Sequence, residues 1–127
     1  VPAYSGIPLT HRRYASSFAV ITGHKRKGIG EKSKAVPVPD ADTLVYLMCV
    51  SNLGKIVEAV RFKKRSGHLP CALIEKGTTA HQKVITGTLK NIVARAQKAS
   101  IKPPAIFIAG QVVNLRKRNR ARWTTPD

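Results

Sequence analysis

Gly77, Thr78 and Thr79 open a run, GTTAHQKVITGTL, that joins a small-residue loop to an alternating strand and then to a capped helix starting near Leu89. Gly77 has no Cβ, so its backbone can take a positive φ and approach another molecule closely, while the two threonine hydroxyls offer short polar contacts. On composition alone, the same run also reads as a glycine turn between two strands. Carboxylates able to move protons are few: Glu31, Asp40 and Asp42 fall in a loop and Glu58 on a helix. Cys49 and Cys71 lie in apolar runs with no CxxC spacing and no paired histidines. No metal site or disulfide framework is therefore indicated, and both read as buried free thiols. Gly28 and Gly30 in KGIGEK lack the buried strand and the helix that must flank a nucleotide loop. His11 is read as buried or locally hydrogen-bonded and His68 as solvent-facing; neither His68 nor His81 is given a role.

The 127 residues suffice for one domain with a hydrophobic core, and 43% apolar composition places the chain among globular sequences. Its net charge of +17, from 23 Lys plus Arg against 6 Asp plus Glu, calls for a polyanionic partner or tolerance of self-repulsion. The basic residues cluster at Lys25–Lys27, Arg61–Arg65 and Arg116–Arg122. Aromatic residues are few, and no platform for stacking bases is expected among those clusters. Nonspecific phosphate binding stays open, as does attraction of a small molecule ringed by carboxylates; most of the charge is read as solvated surface. The chain begins at Val1 without a leader-like or membrane-spanning run, so a soluble fragment, cytoplasmic and without membrane association, is expected.

Strands are predicted near 17–23, 43–50, 71–75, 83–87 and 105–113, with helices near 51–66 and 88–100. Phe, Val, Ile and Thr mark the first strand, and Thr43–Val50 is apolar enough to be buried on both faces. Leu53, Ile56, Val57 and Val60 recur at helical spacing behind Ser51 or Asn52 as N-cap, and Gly67 is expected to close that helix. Thr88 is expected to cap the second helix, with Leu89, Ile92, Val93 and Ala96 as its stripe. Pro103 and Pro104 set up the last strand. The loop joining 71–75 to 83–87 is too short for a helical crossover, so those strands should pair antiparallel. The Lys-, Gly- and Pro-rich stretch 24–42 reads as a long surface loop, and the chain past Asn114 as a fraying end. The fold class is α/β of the α+β type, a mixed five-stranded sheet packed by helices.

Five blocks in register, GIPLTHR (Gly6–Arg12), TGH (Thr22–His24), TLVYLM (Thr43–Met48), GTTAHQKVITGTL and KPPAIFIAGQVV (Lys102–Val113), resemble the uroporphyrinogen III C-methyltransferases of the tetrapyrrole methylase family. The likeness runs from the first residues to about Arg116 and is to the second half of such an enzyme. It implies that residues 1–115 are the C-terminal domain of the tetrapyrrole methylase fold, with 116–127 a basic tail and the N-terminal cofactor-loop domain absent.

The resemblance further implies methyl transfer from S-adenosylmethionine to ring carbons of uroporphyrinogen III, giving precorrin-2 on the route to sirohaem and cobalamin. That reaction needs a sulfonium and a nucleophilic carbon held in contact. By the same likeness, Met48, Gly77 and Thr78 contact the cofactor, and Arg12, His24 and Met48 the tetrapyrrole. Ala105, at the start of the last strand after two prolines, is a further cofactor candidate by position alone, and equally reads as a small residue that sheet packing needs. A guanidinium and an imidazole suit a substrate rich in carboxylates. Cys49 stands where the family usually has glycine, adding a side chain expected beside the cofactor. The principal acid and base are expected in the missing half, so these residues alone should be inactive, and the whole enzyme should be a homodimer. Other readings are a basic nucleic-acid-binding module and a family member acting on a later corrinoid intermediate or a modified histidine.

Overall fold

A computed structural model of the chain describes residues 17–22, 36–77 and 79–115. Five strands form one mixed sheet: β1 (Phe18–Thr22), β2 (Thr43–Leu47), β3 (Pro70–Glu75), β4 (Lys83–Thr88) and β5 (Ala105–Ala109). Their order is β1-β2-β5-β3-β4. β1 runs parallel to β2, whereas the β2–β5, β5–β3 and β3–β4 pairs are antiparallel, the last as the short connection requires.

The alternation of side chains along the central strands gives the sheet two apolar faces. Leu44, Tyr46, Cys71, Leu73, Phe107 and Ala109 point to the face covered by helices α1 (Leu53–Lys64) and α2 (Ile92–Lys98). Those helices answer with Leu53, Ile56, Val57 and Val60 from α1 and Ile92 and Ala96 from α2, as the helical spacing predicted. Each large apolar side chain buried here contributes roughly 1.5–3 kcal/mol. On the opposite face, Val45, Ala72, Ile74 and Ile108 are covered by Val112 and Val113 of a 3-10 segment, Gln111–Leu115. Phe18 and Val20, on edge strand β1, remain about half exposed.

Element ends differ from the sequence expectation for local reasons. β2 stops at Leu47, because Met48 turns into left-handed backbone (φ 53°) and a 3-10 turn, Val50–Asn52, leads into α1. Asn52 is the N-cap, but its side chain makes no capping bond; its own N–H donates to the Cys49 carbonyl at 3.1 Å. α1 is closed by left-handed Arg65 (φ 53°), two residues before Gly67. α2 begins at Ile92 behind Asn91, so Asn91 and not Thr88 precedes the helix; the Asn91 Oδ1 accepts from the Thr88 N–H at 2.9 Å, a bond within the preceding turn and not a helix cap. β5 ends at Ala109, and Gly110 (φ 154°) leads into the 3-10 segment while lying so close to Asp42 that a Cβ there would stand 2.8 Å from its carbonyl. Among the described residues, no helix is long and apolar enough to cross a membrane.

Candidate functional site

Three strand ends meet at one edge of the sheet: the exits of β2 and β3 and the start of β5 between them. The register fixes the level, since Ile106 faces both Leu47 and Ile74, and Ala105 faces Glu75. At this edge opens a cleft of about 820 Å³ lined by Met48, Gly77 and Ala105 together with Ser51, Lys76 and Pro104, among others. Three of the six residues that sequence reasoning singled out therefore share one wall. Arg12, His24 and Thr78 lie outside the described residues, as does the 116–127 tail.

Backbone hydrogen bonds shape that wall. Lys76 also takes left-handed backbone (φ 51°), and its N–H donates to the Pro104 carbonyl at 2.9 Å, tying the exit of β3 to the approach of β5. The Thr79 hydroxyl donates to the Lys76 carbonyl at 2.6 Å and accepts from the His81 N–H at 3.2 Å. A threonine thereby closes the Gly77 turn by bonding its own backbone, the ordinary use of a hydroxyl in a tight turn. Buried Glu75 accepts from the Lys102 N–H at 2.9 Å and holds the chain leading to Pro103 and Pro104.

Met48 is 59% exposed, so it does not fill a gap in the core. Its sulfur accepts a long contact, 4.0 Å, from the Thr22 hydroxyl at the end of β1. The left-handed turn at Met48 sends the next side chain the other way. Cys49 is fully buried, and its Sγ donates to the Ala105 carbonyl at 3.5 Å. The expectation that Cys49 adds a side chain beside a ligand is thus corrected: the thiol lies beneath the wall. Burial pushes it up to about 11, outweighing a backbone hydrogen bond that lowers it, so it is a neutral thiol near neutral pH.

Sequence reasoning missed Ser51, Lys76, Pro104 and Ile106 as lining residues. The two prolines before Ala105 were the available signal for this corner, since they place the chain at the mouth of the cleft before β5 begins. Chemically, the wall offers apolar surface and backbone groups with a thioether at its rim. Among the described residues, Lys76 is the one ionisable side chain on its lining. Such a wall can bind and orient a largely apolar, flat ligand. Among the described residues, no group of three His, Cys, Asp or Glu side chains gathers as a metal site would.

Away from the cleft, the expectation about aromatic residues is also corrected. Phe62 stands inside the Arg61–Arg65 cluster and is 87% exposed.

A mixed sheet with helices on one face and an open apolar cleft at the ends of three strands is an α/β architecture. Residues 1–93 match the family described as Tetrapyrrole (Corrin/Porphyrin) Methylases, and the chain belongs to that family. It is 45% identical over 116 residues to the uroporphyrinogen-III C-methyltransferase of Methanocaldococcus jannaschii, a match covering 91% of this chain and 48% of the relative. The crystal structure of uroporphyrin-III-C-methyltransferase from Thermus thermophilus superposes with a TM-score of 0.76 at 32% identity, covering 92% of this chain and 48% of that one. A second Thermus thermophilus structure, complexed with S-adenyl homocysteine, gives a TM-score of 0.69 at 29% identity, covering 88% of this chain and 49% of that one. The chain spans about half the length of these relatives.

Proposed function

We propose that the chain forms one wall of the methyl-donor site of a uroporphyrinogen III C-methyltransferase, which uses S-adenosylmethionine to produce precorrin-2. The observation that carries this reading is the convergence of Met48, Gly77 and Ala105 on one open cleft. In this reading the Gly77 turn and Thr78 present backbone to the adenosine portion, and the apolar floor of Ile74, Ile106 and Ala105 supports it. Met48 sits at the rim between cofactor and tetrapyrrole, while Arg12 and His24 take substrate carboxylates. Orientation of the sulfonium against the pyrrole carbon is the main contribution of this wall. The base that removes the ring proton after methylation lies on the facing wall, outside these 127 residues, and the working enzyme is a cytoplasmic homodimer.

Titration calorimetry with S-adenosylhomocysteine tests the wall. Binding to the chain, weakened about tenfold by Met48→Ala through loss of a contact on the order of 1.4 kcal/mol, supports it. Heat that is unchanged by Met48→Ala and by Ala105→Leu would remove the cleft from the reading. Incubated with S-adenosylmethionine and uroporphyrinogen III, the 127 residues should yield no methylated product; turnover would show that the wall is already complete.

A further inference from the structure

The C-terminal end of α1 carries a second concavity, remote from the cleft. From Leu53 to Phe62 the helix rises about 14 Å, so the two lie at opposite ends of α1. This groove, of about 510 Å³, is lined by Arg61, Phe62, Lys63 and Arg65: three cations around one aromatic ring. Phe62 is 87% exposed, although an aromatic side chain gains much from burial. Basic residues near a helix C-terminus are favoured by its dipole, which accounts for the cations but not for the phenyl ring.

The surrounding charge narrows the choice of partner. An ideal Cβ at Gly67 would stand 2.6 Å from Lys90 Cγ and 3.1 Å from Arg61 Nε, so Gly67 lets two cationic side chains converge beside the groove. Such a convergence in a chain of net charge +17 complements a polyanion. Two carboxylates border this surface: Asp40 pairs with Lys63 at 3.3 Å, and Glu58 lines an adjoining groove that shares Arg61, Phe62 and Lys63 and runs toward Val36 and Val38. Arg61, Arg65 and Lys90 leave the balance of charge positive. Lys64 is turned away, its Nζ donating to the Ala41 carbonyl at 2.7 Å.

We propose that Arg61, Phe62, Lys63, Arg65 and Lys90 form a docking surface for single-stranded RNA, with a base stacked on Phe62 and successive phosphates held by the cations. A phenyl ring amid cations is the arrangement that binds single strands without reading sequence, since every base has a face to stack. A duplex keeps its bases stacked on one another and gains nothing from the ring. This surface is independent of the methyl-transfer reading.

Fluorescence anisotropy with a labelled oligouridylate of about twelve nucleotides, titrated with the whole chain over a salt series, tests it. The single strand should bind more tightly than a duplex of the same length. Phe62→Ala should weaken it at least fivefold while leaving the salt slope unchanged. Arg61→Gln and Arg65→Gln should each flatten that slope by about 0.7. Phe62 is exposed, so its truncation leaves the core intact, and an unchanged melting curve verifies that. Equal affinity for single strand and duplex, or no effect of Phe62→Ala, overturns the proposal in favour of charge alone. Loss of binding to phosphatidylserine vesicles but not to RNA in Phe62→Ala overturns it in favour of a membrane surface.

Discussion

Met48 and Lys76 adopt the same left-handed backbone, with φ of 53° and 51°, at the ends of the two strands that flank β5, and both face the same cleft. Left-handed backbone is unfavourable for residues with a Cβ and is held in place by the surrounding structure, as it is for Arg65 at the end of α1. At Met48 the turn puts the thioether at the rim and Cys49 in the core. At Lys76 it aims the chain from the exit of β3 into the Gly77 turn. Two equivalent turns thus frame the wall on either side of Ala105.

Replacing Lys76 by glycine should therefore raise stability. Its side chain is exposed, so little packing is lost, and relief of the left-handed backbone outweighs glycine's greater unfolded entropy by about 1 kcal/mol. Met48→Gly should also stabilise, yet should weaken binding of S-adenosylhomocysteine. Urea midpoints and calorimetry on the two variants separate the effects, and a destabilised Lys76→Gly would show that its side chain supports the turn.

Gly110 presents the opposite case. Its φ of 154° disfavours a side chain, and a Cβ would stand 2.8 Å from the Asp42 carbonyl, which is backbone and cannot swing away. Gly110→Ala should lower stability by roughly 2–3 kcal/mol, seen as a reduced thermal midpoint. An unchanged midpoint would mean that the 42–43 backbone moves freely, contrary to the pairing of Thr43 with β1.

The buried faces were legible because they depend on side-chain period alone. Leu53, Ile56, Val57 and Val60 mark α1, and the apolar run Thr43–Leu47 marks a central strand. The ends were less legible, because they are decided by tertiary contacts that leave little trace in composition. Nothing local to Met48 announces left-handed backbone, and the need for glycine at 110 comes from Asp42, distant in sequence. In the cleft, Met48 and Gly77 were visible through family likeness and Ala105 through its position after two prolines. Ser51, Lys76 and Ile106 enter it through strand order and register, which one sequence does not display. Phe62, by contrast, was legible, since at helical spacing it lies opposite the stripe of Leu53, Ile56, Val57 and Val60 and so faces water.

Thr43 is wholly buried, and its Oγ1 has no hydrogen-bond partner among the described residues. A buried hydroxyl without a partner is destabilising, and valine has nearly the same shape with equal preference for a strand. Thr43→Val should raise stability by about 1 kcal/mol, read from thermal or urea unfolding. A lower midpoint would reveal that a water or a residue outside the described segments satisfies this oxygen.

Alkaline pH should unfold the chain through three buried acids. Burial pushes Cys71 up to about 12 from 9.0, with nearby Arg95 opposing it more weakly, and Cys49 up to about 11 from 9.0. Burial also pushes Tyr46, whose hydroxyl donates to the Pro37 carbonyl at 2.7 Å, up to about 12 from 10.0. In each case the folded state holds the proton more tightly, so stability is fully present below the unfolded value and is lost as pH rises toward the folded one. The fall should begin near pH 9 with the thiols, and Tyr46 should add to it above pH 10. Each pH unit crossed between a group's two values removes about 1.4 kcal/mol. Deprotonation of lysines acts the other way, because it relieves the self-repulsion of a chain carrying +17. The Cys49→Ala/Cys71→Ala double variant separates these influences: its urea midpoint should hold steady or rise where that of the parent falls, and should decline only once Tyr46 ionises in the unfolded chain. If parent and double variant lose stability in parallel from pH 9 upward, the thiols are not the source.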